Sequence, residues 1–361
     1  MLVHICCAVD SHYFLQKLQE RYPEESLTGY FYDPNIHPYS EYQLRLLDVK
    51  RSCKKLGIEL IEGEYDYEAW LEAVRGYENE PEKGARCDLC FDNRLESTAQ
   101  KASELGMKKI TTTLLTSPKK SIEQLKSAGD EIEKKYGVKF VAVDFRTKGG
   151  TQEQFAMAKE EQLYHQDYCG CIYALSKQRD MQDRLADELF SPITKQIQPE
   201  SIEDRIELYK KREELEEKGV SYKIIREKFL NYRLLRGYIS LNKNVVPSYI
   251  LPYSTIKRKF LKTKIETKIN NYFITRHENI YLITLDEFNK LSNKNYKNIQ
   301  DIINHPLSFD EELKIRNKII QNFYSLSPVI IIKNIEPNTK ISLYIEAKTY
   351  QDTREHLVQL G

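Results

Sequence analysis

Apolar runs of four to seven residues alternate with helical patterns over the first 145 positions, and the connections between runs are too long for hairpins. Residues 2–7 (LVHICC) read as a strand, followed by a helix in which Phe14, Leu15 and Leu18 share a face. Strands are expected again at 27–32, 58–61, 109–115 and 139–145, and helices at 41–56 and 121–136. Gly57 and Gly137 follow those two helices, where a left-handed stop is usual. Strand–helix–strand units of this kind give an α/β fold with a parallel sheet covered by helices on both faces, and such a sheet takes its ligand off the carboxyl ends of the strands. Sulfur-bearing and polar turns fall there: Cys6 and Cys7 end the first strand, Asp33-Pro34-Asn35 follow the second, and Thr116-Ser117-Pro118 follow the fourth.

With 361 residues, 40% of them hydrophobic, the chain can bury a substantial core, which excludes disorder over most of its length. Beyond about residue 195 the texture changes. Charged helical patterns are expected at 202–218 and 221–237, then strand-like pieces at 281–285, 329–332 and 341–347. Two domains are therefore expected, 1–198 and an α+β extension over 199–361. Residues 1–200 hold 27 Lys+Arg against 34 Asp+Glu, and residues 201–361 hold 28 against 20, so the second part suits a polyanionic partner. No run approaches the ~20 apolar residues of a membrane span, and the first residues carry neither a basic segment nor a cleavage site. A cytoplasmic location without a membrane partner is expected.

Seven cysteines in a reducing compartment are poor candidates for disulfides, and their placement is uneven: Cys6 with Cys7, Cys87 with Cys90, Cys169 with Cys171, and Cys53 alone. Cys53 follows Leu46 and Val49 at helical spacing and reads as a small core residue. The other six fall in expected loops, where packing does not account for them. Thiolates select zinc, copper(I) or iron–sulfur clusters, and loops that follow different parallel strands can meet at one sheet edge. Six thiolates exceed the four that a four-iron cluster takes. The surplus leaves two for a second metal, which Asp10, three residues past Cys7, could join. Two zinc knuckles would use the same ligands.

Six ordered motifs carry a resemblance: HICCAVD at 4–10, YDPNIHPYSEYQLR at 32–45, CDLCFDNRL at 87–95, TTTLLTSPKKS at 111–121, DFR at 144–146 and QDYCGCIYAL at 166–175. Together they resemble the cobalamin-independent epoxyqueuosine reductases, the QueH family, over roughly residues 1–195. The resemblance implies a Rossmann-like core of the PP-loop (HUP-like) type, a [4Fe-4S] cluster beside a mononuclear iron, and an oxidoreductase acting in queuosine biosynthesis. The implied reaction is reduction of the epoxide of epoxyqueuosine to an alkene at the wobble position of a tRNA with a queuosine-type anticodon. Cys6, Cys7, Cys87, Cys90, Cys169 and Cys171 would be the thiolate ligands. Two departures stand out: Val9 replaces the usual proline, and Asp10 stands where many relatives carry cysteine, which makes it an oxygen ligand for the single iron. The resemblance does not account for the C-terminal extension.

Reducing an epoxide to an alkene takes two electrons and two protons, so an external electron donor is expected, together with an acid beside the metals. His165 and Tyr168, next to the last cysteine pair, are the candidates, with His165 preferred because histidine is the residue type suited to proton transfer at neutral pH. Arg45, Arg94 and Arg146 occupy matched motif positions and suit phosphate or ribose contacts. Arg45 could equally pair with Glu41 one helical turn away. Ser117 fits either anion binding or a helix cap, and Asn35 and His37 could touch the modified base or simply form a turn. In the extension, residues 257–276 carry seven basic residues against one acidic, interleaved with Phe260, Tyr272 and Phe273, a composition that suits RNA. Two other readings remain: an iron–sulfur tRNA-thiolating PP-loop enzyme, which needs a glycine-rich phosphate loop where this chain has Cys-Cys-Ala-Val-Asp-Ser, and a zinc-stabilised RNA-binding module without catalysis.

Overall fold

The computed structural model describes residues 1–117, 120–190 and 196–360; Pro118 and Lys119 of the fourth motif lie outside the described residues. The chain divides into two compact units. One comprises Met1–Leu189, Arg205–Ile225 and the segment from His356, and the other Phe190–Asp204 and Arg226–Glu355. The chain thus passes between units four times, whereas the sequence suggests one boundary at 198/199.

In the first unit the order is β1 (Leu2–Ile5), α1 (Ala8–Arg21), β2 (Thr28–Phe31), α2 (Tyr39–Leu56), β3 (Glu59–Glu62), α3 (Tyr67–Ala73), α4 (Ala85–Glu104), β4 (Lys109–Thr112), α5 (Ile122–Tyr136), β5 (Lys139–Phe140), α6 (Gly150–Glu160) and α7 (Ile172–Met181). The five strands form one parallel sheet in the order β3-β2-β1-β4-β5, which is the expected Rossmann-like α/β core. Right-handed crossovers put α1 and α2 on one face and α4 and α5 on the other, because the strand order reverses at β1. In agreement, α1 packs on α2 and α6, and α4 on α5. The reversal opens a crevice at the carboxyl ends of β1 and β4. Gly57 and Gly137 adopt left-handed conformations at the ends of α2 and α5, as expected.

Three local expectations change. The fourth strand stops at Thr112 and tightens into a 3-10 turn over Thr113–Leu115, and the fifth is two residues long instead of seven. Cys87 and Cys90 lie in the first turns of α4, not in a loop. That helix buries Cys90, Phe91, Arg94, Leu95, Thr98, Ala99 and Ala102, a stripe at helical spacing.

The remaining elements are α8 (Ile202–Glu217), β6 (Tyr222–Leu241), β7 (Asn244–Val246), β8 (Ser248–Ile250), β9 (Phe260–Ile269), β10 (Tyr272–Thr275), β11 (Tyr281–Thr284), α9 (Leu285–Ser292), α10 (Ile299–Asn304), α11 (Phe309–Ile320), β12 (Val329–Ile332) and β13 (Lys340–Gln359). Residues 221–237, expected as a helix, belong to the long strand β6. Tyr, Ile and Phe recur there, and pairing with β7 and β13 outweighs the approximate helical spacing. The eight strands form one mixed sheet in the order β7-β6-β13-β9-β10-β11-β12-β8. Strand β12 shows how it is filled: Val329 and Ile331 pack with Phe288, Ile302 and Ile315 of the helices, while Ile330 and Ile332 join Ile265, Leu282 and Leu343 in a second cluster. This is the expected α+β extension. No helix among the described residues is long and apolar enough to cross a membrane.

Candidate active site

Strand β1 delivers Cys6 to the crevice, and Cys7 caps α1 with an extended backbone. One helical turn later Asp10 comes back beside them. Cys6 Sγ lies 3.8 Å from Cys7 Sγ and 3.7 Å from Asp10 Oδ2, and one ligand atom from each of the three fits within a 4.8 Å span. Three potential anions this close repel one another. The Cys7 thiol is held well above its usual range by its contact with Cys6, by burial and by Asp10, and burial raises Asp10 although thiol and amide donors oppose it. A bound cation relieves that repulsion and takes up deprotonated ligands, so the donor set fits a metal ion.

A cavity of about 120 Å³ opens in front of this group, and its walls include Cys6, Asp10, Cys87, Cys90, Cys169 and Cys171. The three distant cysteine pairs therefore converge. Cys53 does not join them: it is 1% exposed and lies outside the cavity wall, in the core of the first unit, which also takes in Cys6 and Cys7 and so gives them the packing role that the sequence did not suggest. Cys90 and Cys171 share an apolar cluster with Trp70 and Val74, against which Cys169 packs. Cys169 is pushed down to about 5, first by a hydrogen bond from Cys171 and then by the charge of Lys120, while Cys171 is driven upward as it retains the shared proton. Burial raises Cys87, which accepts from the Lys83 amide at 3.3 Å. Three residues of the cavity wall carry a buried polar atom without a hydrogen-bond partner among the described residues: Trp70 Nε1, Asn35 Oδ1 and Gln166 Oε1. Four soft thiol ligands and an unpaired N–H donor fit an iron–sulfur cluster.

The Cys169-Gly170-Cys171 turn is held from several sides. Gly170 has φ +103°, and a Cβ there would meet Ile36 at 2.8 Å, so only glycine fits. Its carbonyl accepts from His37 N at 2.9 Å, and Tyr168 donates its hydroxyl to the His37 carbonyl at 2.7 Å. Arg45 donates to the carbonyls of Tyr168 (3.0 Å) and Cys169 (3.3 Å) and pairs with Glu41 at 2.7 Å. Its guanidinium is thereby committed to the turn.

The other residues singled out in the sequence divide. Asn35, Arg94, Ser117, His165 and Tyr168 line the cavity; His37 and Arg146 do not, among the described residues. His165 is exposed, next to Phe155 at 5.9 Å between ring centres. Tyr168 is buried, which keeps its hydroxyl protonated. His37 stacks on Tyr67 at 4.6 Å. Arg94 is buried against Asp33 and donates to His4 Nε2 at 3.3 Å; burial pushes Asp33 up to about 6 although Arg94 and Arg45 pull the other way. Arg146 donates to the carbonyls of Ser117 (3.1 Å) and Lys120 (2.9 Å), tying down the loop that follows β4.

Four residues at the site were not singled out from the sequence. Gln154, fully buried on α6, donates to Asp10 Oδ1 at 2.7 Å. Thr113 places its hydroxyl 3.3 Å from Cys6 N and 3.5 Å from Cys6 Sγ. Lys120 brings a positive charge to Cys87, Cys90 and Cys169. Arg86 donates to the carbonyls of Tyr77, Glu78 and Glu80, closing the segment before α4 over the cavity. Thr113 and Lys120 lie in the fourth motif, where a signal was present; Gln154 and Arg86 lie outside all six.

Comparison with known proteins follows the same lines. A family profile described as "Epoxyqueuosine reductase QueH" matches residues 1–177. The Helicobacter pylori epoxyqueuosine reductase QueH is 40% identical over 368 aligned residues, covering 97% of each chain, so it shares the C-terminal extension. The Thermotoga maritima protein of the same name is 37% identical over 183 residues, half of this chain and 92% of that one. Among solved structures, the U34-tRNA thiolase NcsA from Methanococcus maripaludis with its [4Fe-4S] cluster aligns at a TM-score of 0.32 and 15% identity over 59% of this chain and 73% of that one, a likeness too distant to bear on the site. On the identity that runs the length of the chain, the protein belongs to the epoxyqueuosine reductase QueH family of oxidoreductases.

Proposed function

We propose that this chain reduces epoxyqueuosine to queuosine at the wobble position of tRNA in the cytoplasm, consuming two electrons from an external donor and two protons and releasing the epoxide oxygen as water. The observation that carries the reading is the meeting of cysteines from three distant pairs with Asp10 around one cavity, Cys7 lying outside the lining with its Sγ 3.8 Å from that of Cys6. Cys87, Cys90, Cys169 and Cys171 would hold a [4Fe-4S] cluster, and Cys6, Cys7 and Asp10 a mononuclear iron. When bound, these groups supply single electrons at low potential and a Lewis acid for the epoxide oxygen.

The chain's own residues bind and protonate. Asn35 Oδ1, buried and without a partner among the described residues, is an acceptor available to the modified base. Arg94 keeps a buried positive charge in the wall, with Asp33 behind it. Of the two acids suggested by sequence, His165 is the better placed: it lines the cavity and is exposed, so water can restore its proton after each turnover. The Tyr168 hydroxyl is already donated to the His37 carbonyl. Ser117, in the loop clamped by Arg146, borders the same space. Cys6 and Cys7 occupy the turn that a PP-loop enzyme gives to glycines, which disfavours the thiolating alternative.

The test is anaerobic. Protein reconstituted with iron and sulfide, supplied with a low-potential reductant and tRNA containing epoxyqueuosine, should yield a nucleoside lighter by one oxygen atom on mass spectrometry. A colourless, zinc-bound preparation with no iron–sulfur absorption near ~400 nm would end the proposal.

A further inference from the structure

The outer face of the second unit's sheet carries a row of aromatic rings bordered by cations. In β9 and β13 the pairs Tyr344–Phe260, Ser342–Lys262 and Lys340–Lys264 are in register, so all six side chains point to one side. The alternate residues Thr263, Ile265, Ile341, Leu343 and Ile345 are buried on the other. On the next strand Tyr238 of β6 stacks on Tyr344, with ring centres 5.4 Å apart and planes within 7°. Tyr238, Tyr344 and Phe260 thus cross three adjacent strands in one line, and Phe260 is 44% exposed. Cations sit over two of the rings: Arg236 over Tyr344 at 5.5 Å and Lys262 over Phe260 at 5.7 Å. Lys264 and Lys340 extend the positive side, and the nearby Glu346 is already paired with Lys259.

Solvent-facing rings on a sheet are ordinarily a cost, and a row of them flanked by Arg and Lys matches one class of ligand in both respects. Unpaired bases stack on aromatic faces regardless of sequence, and phosphates between successive bases meet the flanking cations. We propose that this face binds unpaired nucleotides of the tRNA substrate, with Tyr344 and Phe260 as stacking surfaces and Arg236, Lys262, Lys264 and Lys340 as phosphate contacts. The inference rests on the tRNA substrate of the function proposed above. The sequence places the basic run at 257–276; the sheet adds Arg236, Tyr238, Lys340 and Tyr344 from strands far along the chain and sets Tyr272 and Phe273 aside on β10.

The test uses the full chain with unmodified tRNA, which measures binding without turnover. Changing Arg236, Lys262, Lys264 and Lys340 together to Ala should weaken binding at least tenfold at moderate salt and flatten the salt dependence by up to about three logarithmic units per unit of log salt. Phe260→Ala, at an exposed position, should weaken binding about tenfold with little change in salt slope, the mark of stacking as opposed to charge. Far-UV circular dichroism and thermal unfolding of each variant verify the fold. Affinity and slope equal to wild type in both variants would overturn the proposal and leave the face to a protein partner. Reduction of epoxyqueuosine by the wild-type chain is scored separately. Turnover without any binding defect sinks this surface alone, and a binding defect without wild-type turnover sinks the reductase reading alone.

Discussion

The side-chain amide of Gln154 donates to Asp10 Oδ1 at 2.7 Å, while the other carboxylate oxygen of Asp10 lies 3.7 Å from Cys6 Sγ. A neutral donor thus anchors one oxygen and leaves the second to the thiol pair, an arrangement in which outer partners govern metal affinity. Gln154→Leu should weaken retention of the single iron by about 10–100-fold while the four-thiol cluster persists. Asp10→Ala should remove that iron altogether and stop reduction. Iron and acid-labile sulfide per chain decide both: four irons and four sulfides should survive in each variant, an unchanged iron surplus in Asp10→Ala would show that Asp10 is not a ligand, and an unchanged iron affinity in Gln154→Leu that its amide does not govern retention.

Cys87→Ala and Cys169→Ala should abolish the visible absorption, because each removes one of the four thiolates proposed to hold the cluster. Cys53→Ala should leave absorption and turnover intact and cost about 1 kcal/mol of stability through the lost packing, measured by denaturant unfolding of the apoprotein. Loss of iron in the last variant would contradict the division between core and site.

Trp70 is 1% exposed, packs with Cys90 and Cys171, and has an Nε1 without a partner among the described residues. A donor beside a cluster sulfur stabilises the more negative reduced state, so Trp70→Phe should lower the reduction potential. Spectroelectrochemistry reads the shift directly. An unaltered potential would mean that the indole only fills space.

Arg45 joins α2 to the cysteine turn through two carbonyls and pairs with Glu41 on its own helix. Removing a buried, paired cation leaves its carboxylate uncompensated, so Arg45→Ala should cost roughly 3–5 kcal/mol and reduce cluster loading. Lysine cannot reproduce the planar fork, and Arg45→Lys should recover little of either. Full recovery would reduce Arg45 to a charge.

In the second unit, burial pushes Glu312 up to about 7, against hydrogen bonds from Tyr249 at 2.7 Å and from Gln196. The unfolded carboxyl, near 4.5, gives up its proton at lower pH than the folded one. Stability from this group is therefore greatest below the unfolded value and declines as pH rises from about 4.5 to about 7. Glu312→Gln should flatten that decline and make the variant relatively more stable at pH 8 than at pH 5. Parallel unfolding curves for variant and wild type across that range would refute it.

Much of the first unit can be read along the chain because its signals are local. Four-residue buried strands, glycine helix stops at 57 and 137, and turns rich in Cys, Asp and Ser depend on near neighbours, and a parallel sheet leaves little freedom in where such turns meet. The helix that carries Cys87 and Cys90 is also legible, in the stripe from Cys90 to Ala102, although a C-x-x-C pair by itself suits a loop as well as a helical turn. The Arg45–Glu41 pair was legible one helical turn apart, but the carbonyls that take the other donors of Arg45 and Arg146 were not, since they lie more than 25 residues distant. Nor was Gln154: one polar residue in a helix carries no mark until packing seals it against Asp10. The strand at 222–241 shows the same limit, because its apolar spacing suits either conformation and hydrogen bonding to β13, over a hundred residues later, chooses between them. Residue order determined which donors exist and on which elements they ride; folding decided which of them face one another, because contacts between remote segments depend on the closure of the whole core.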